Sequence, residues 1–105
     1  MADFFVANAS SGTVLAEKSA PAAERRLVLQ GVLFCVNGGG STASVLTFRY
    51  GDSSANVTSV VFAVTTGGIG RAYDPGGFVA GRYVAAACTS NTGTSNSVAI
   101  WGNYA

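Results

Sequence analysis

The sequence has no histidine, one methionine, one tryptophan, two cysteines and two prolines in 105 residues, and only 10% of it is charged. Each shortage removes a class of function. Without imidazole there is no Ser–His or Cys–His pair, and no side chain that ordinarily titrates near neutrality. Two cysteines without histidine cannot complete a Cys-based structural zinc site. The carboxylates are Asp3, Glu17, Glu24, Asp52 and Asp74, scattered over an N-terminal segment and two turns. Glycoside hydrolysis needs two of them facing each other across about 5–10 Å of cleft. Asp52 and Asp74 lie in different Gly-rich loops, where Asp is normally a turn former. These residues assign no catalytic, metal or cofactor role, and the chain reads as a non-enzyme.

Charge of one sign is equally scarce. The six basic residues are Lys18, Arg25, Arg26, Arg49, Arg71 and Arg82, for a formal net charge of +1. Only Arg25 and Arg26 adjoin, and Glu24 sits beside them, so the clustered cationic surface that nucleic acid demands is missing. No apolar run approaches the ~20 residues needed to span a bilayer as a helix. The first residues, Met1–Val6, lack a basic n-region and carry Asp3 early, so no export signal is expected.

What is present is apolar and β-prone. Hydrophobic residues make up 49% of the chain, and 14 glycines punctuate it. Val, Thr and aromatic residues favour strands, while Gly, Asn and Ser mark the turns between them. A surface with so little charge has weak colloidal repulsion, so it is either Ser/Thr/Asn-rich or covered by partners.

Short runs at Asp3–Asn8 and Thr13–Ala16 precede the only charged stretch, Glu17–Arg26, where Pro21 could open a single helical turn. From Leu27 the pattern strengthens. Leu27–Val36 is apolar on both faces; Ala43–Tyr50 and Val57–Thr66 alternate; Phe78–Gly81, Arg82–Thr89 and Ser97–Tyr104 follow. In Val57–Thr66 the alternation sets Val60, Phe62 and Val64 on one face. The loop Asn37–Thr42 resembles a phosphate cradle only superficially, because it has no Lys and no following helix; it reads as a turn. Turns every 8–12 residues without helical crossovers predict an all-β fold. The expected architecture is an antiparallel β-sandwich or jelly-roll-like barrel of about 7–8 short strands with an extended N-terminal arm. The arm is residues 1–26 and the β-sandwich domain residues 27–105, so removing residues 1–20 should leave the domain folded.

A low-charge chain with a strand apolar on both sides points to assembly. The candidate contacts on the arm are Phe4, Phe5, Val6, Val14 and Leu15. On the body they are Val28, Val32 and Phe34 of the two-faced run, the small residues Ala85 and Ala87, and Trp101. Trp101 falls on the face opposite Val98 and Ile100, as a contact anchor, part of a second core face, or an aromatic platform for a glycan. Cys35 and Cys88 lie in apolar runs, either as small buried residues or as one disulfide.

The residues Leu29–Leu33, Val45–Asp52, Asp74–Phe78 and Gly81–Val84, with a last strand ending at Tyr104, resemble the small β-sandwich virion proteins of tailed bacteriophages. The resemblance covers about residues 27–105. It implies a capsid decoration (cement) protein stabilising the phage head, or a small tail, head–tail or fibre component. The partner would be a phage capsid or other virion protein, the oligomer a homotrimer, and the location the virion, assembled in the host cytoplasm. The resemblance implies no catalytic residues. A glycan-binding β-sandwich module using exposed aromatics is the competing reading.

Overall fold

The computed structural model describes residues 2–36, 43–65, 69–89 and 95–105. The turn expected at Asn37–Thr42, the Gly67–Gly68 break and residues 90–94 of the polar loop lie outside them. The described residues form nine strands and no helix: β1 (Phe4–Ser11), β2 (Val14–Ser19), β3 (Leu27–Val36), β4 (Ser44–Ser53), β5 (Asn56–Thr65), β6 (Ile69–Tyr73), β7 (Phe78–Gly81), β8 (Tyr83–Thr89) and β9 (Ser95–Tyr104). Hydrogen-bonded neighbours run β1-β9-β3-β7-β4-β8-β2, with β5 added to β4 and β6 to β3. The Asn8 side-chain amide donates to the Leu15 carbonyl at 2.7 Å, tying together the strands at the two ends of that path. The result is a nearly closed, barrel-like sheet, the all-β class that the turn spacing predicts.

Pairing is antiparallel except where β4 and β7 meet side by side at Gly51 and Gly81. That crossing needs glycine. Gly81 has φ +93°, and a Cβ there would lie 3.0 Å from the Gly51 carbonyl oxygen. The same oxygen accepts the Arg82 N–H at 3.0 Å. A side chain at Gly81 would therefore strain the backbone and part the two strands.

The inward residues follow the strand period of two. Val84, Ala86 and Cys88 of β8 are fully buried, and so are Leu46 of β4 and Val98 and Ile100 of β9. On β3 the phase changes partway. Leu27 and Leu29 point inward, then a bulge opposite β9 sets Gln30 between Leu29↔Gly102 and Gly31↔Trp101. Beyond it Val32, Phe34 and Val36 point inward. The extra residue explains how a run apolar at almost every position serves one core: the bulge moves the inward set from odd to even numbers. A second bulge, opposite Leu46 and Thr47, moves β5 out of its predicted alternation. Val64 pairs with the outward Val45, while Phe62 turns in to stack on Phe48.

The N-terminal segment is not a separate arm. β1 pairs with β9 along its whole length and β2 with β8 along its own. Phe4, Val14 and Ala16 belong to the core cluster. The physical reason is edge satisfaction: β8 and β9 each present an open edge that residues 4–19 fill. Between β2 and β3 the chain makes the single turn expected after Pro21, closed by the Arg25 N–H donating to the Ala22 carbonyl at 3.1 Å, and no helix forms there. Residues 25 and 26, just before β3, are tied to Ala105. Arg26 and Ala105 exchange backbone hydrogen bonds at 3.1 and 2.8 Å, and the Arg25 guanidinium donates to the Ala105 carbonyl.

Candidate functional site

Of the residues expected to make assembly contacts, six are buried inside the chain itself. Phe4, Val14, Val32 and Phe34 are core side chains, and Ala85 and Ala87 are covered although they point away from the core. Ala85 sits between Glu17 and Arg49 in the register, and Ala87 between Leu15 and Thr47. The longer neighbours close over the small ones, so the small-residue face expected there offers no open surface. Val6, Leu15, Val28 and Trp101 are half-buried, and Phe5 is 66% exposed.

Beside Ala85, the Tyr83 hydroxyl donates to the Glu17 carboxylate. Burial, then this hydrogen bond and the Glu17 charge, push the Tyr83 phenol up to about 12, with Arg49 acting in the opposite sense. The group is held neutral as a donor. It cross-links β8 to β2. Asp74 acts as a turn former, its carboxylate accepting the Gly76 N–H at 2.9 Å. Asp52 lines a shallow groove with Tyr50, Gly51, Asn56, Val57 and Thr58. Among the described residues no three His, Cys, Asp or Glu side chains gather as metal ligands. The cysteines part company: Cys88 is buried, its thiol pushed up by burial, while Cys35 is exposed, and both are free.

The surface that sequence reasoning missed is β5. Val60, Val61, Phe62 and Val64 are all exposed, and the exposed Phe78 of β7 adjoins the Phe48 and Tyr50 rings. Under it lies a continuous set of aromatic rings. Phe62 stacks on Tyr73 at 4.8 Å and on Phe48 at 5.9 Å, and Tyr50 meets Phe78 edge-on at 5.0 Å. β5 pairs with β4 alone among the described strands, so its other edge is open. No residue from Asn56 to Thr65 is charged and none is proline. Proteins normally blunt such an edge with Lys, Pro or cover. The signal was legible in the apolar triplet Val60–Val61–Phe62, which no single-faced strand would carry.

A second surface lies on the outside of β1, β9 and β3. Phe5 and Trp101, opposite each other in the register, stack at 5.9 Å with 26° between their planes. Beside Trp101 a groove of about 390 Å³ is lined by Ala2, Gln30 and Asn103. The chain matches no protein-family model, no curated protein and no solved structure.

Proposed function

We propose that this chain is a non-enzymatic structural virion protein, a capsid decoration protein that stabilises a phage head as a homo-oligomer. The observation that carries the reading is β5: an open strand edge, uncharged over ten residues, with four exposed large hydrophobics. Such an edge in a free monomer is an aggregation template, and an apolar area of this kind marks a protein contact. A decoration protein buries it against the shell or a sister copy, and the low net charge suits a subunit that works while packed. The sequence resemblance over residues 27–105 points to the same setting.

The test adds the purified chain to heads of a tailed phage that carries this protein, prepared without it. Saturable co-sedimentation and a higher temperature of head disruption are expected. Val64→Lys, which places a charge on the outward side of β5, should abolish binding and leave the isolated fold intact. Heads that neither bind the chain nor gain stability would refute the assignment. Binding to tails or fibres instead would move the protein to those structures.

A further inference from the structure

The geometry points to a neutral-saccharide site on the outer face of β1, β9 and β3, built from Trp101, Gln30 and Asn103. The bulge in β3 makes it. The extra residue puts Gln30 and Gly31 side by side on the outer face, opposite Trp101. Gly31 leaves room for the indole to lie directly on the strand: a Cβ there would fall 2.1 Å from the ring atoms Cε2 and Cζ2 and 2.6 Å from Nε1. The ring is therefore held against the sheet at Gly31 and by stacking with Phe5. It is only half-buried, so part of it remains open to solvent.

Two amides border the ring. The Asn103 side-chain oxygen accepts the Asp3 N–H at 3.2 Å, which fixes that amide and leaves its NH2 group without a partner among the described residues. Gln30 and the Trp101 N–H likewise have none there. The groove these residues share, about 390 Å³, falls within the range of small-molecule sites.

A fixed aromatic plane bordered by unengaged amides suits a ligand with an apolar C–H face and a rim of hydroxyls. That is the chemistry of a neutral sugar ring. Among the described residues no Lys, Arg, Asp or Glu lines the groove, which disfavours phosphates, acidic sugars and charged peptides. The site stands apart from β5 and does not depend on the chain being a virion protein.

Trp101 is the only tryptophan, so its emission reports the site directly. The intact chain would be titrated with hexasaccharides of glucose, galactose, mannose and N-acetylglucosamine to millimolar concentration. At least one should give a saturable emission change. Gln30→Ala and Asn103→Ala, both on the outer face and away from the core, should each weaken binding about three- to tenfold, the worth of one hydrogen bond. Trp101→Phe should weaken it further and Val61→Ser should leave it unchanged. Backbone amide shifts of the Phe variant would replace the lost emission signal. Absence of any response across the four sugars overturns the site. So does binding by both amide variants as tight as the parent's, or a response to an oligonucleotide or peptide in place of the sugars.

Discussion

Gly102 lies in β9 opposite Leu29 of β3 and faces the core. A Cβ added there would sit 2.1 Å from the Val28 carbonyl oxygen and 3.0 Å from Cζ of Phe4. Ordinary van der Waals contact begins near 3.4 Å, so β9 and β3 would have to separate by more than an ångström along their shared ladder. The obstructing atom is backbone, which no rotamer change can move. Gly102→Ala therefore loses ladder hydrogen bonds and core contact together, at a cost of about 3 kcal/mol or more against the 1–3 typical of core overpacking. For a domain of this size 1 kcal/mol shifts Tm by about 4–8 °C, so a fall of roughly 12 °C or more is expected. Gly70→Ala is the control, because no described residue lies within 4 Å of its added Cβ and it is exposed. It should unfold within about 4 °C of the parent, as surface substitutions within about 0.5 kcal/mol do. Thermal unfolding followed by circular dichroism would measure both. A Gly102→Ala protein melting with the parent would refute the close approach of β9 to β3 and the register built on it.

Deleting residues 1–20 should unfold the chain, because it removes Phe4, Val14 and Ala16 from the core and exposes the edges of β8 and β9; a native-like, cooperative melt of the truncated chain would contradict the pairing. The Tyr83 phenol, raised to about 12 from an ordinary value near 10, adds stability that is fully present below pH 10 and is lost as pH climbs from 10 toward 12. That contribution is at most about 3 kcal/mol, and urea unfolding of the parent and Tyr83→Phe at pH 9 and 11.5 should show the parent losing more than the variant. With Cys35 exposed and Cys88 buried, a thiol reagent should modify one cysteine rapidly in the native protein and both in denaturant; two fast thiols, or none, would contradict the assigned orientations.

The sequence by itself determined the all-β class and the lack of imidazole. Strand-like runs broken by Gly-rich turns require an all-β chain, because their spacing leaves no room for crossover helices. The lack of histidine is likewise a fact of composition that no fold can alter. Inward and outward faces were readable wherever strict alternation held, as for Leu46 and Phe48, or Val84, Ala86 and Cys88. Tertiary structure decided the rest. Which edge residues 4–19 would fill depends on strands far away in the chain, so a run read as an arm became two strands of the barrel. One inserted residue reverses the facing of everything beyond it; an unbroken apolar run marks β3 and the Val60–Val61–Phe62 stretch of β5, but the position of the bulge within each is set by the partner strand. Those two bulges place the features that matter most: Gln30 beside Trp101 on one surface, and Phe62 over the aromatic rings behind the open edge of β5.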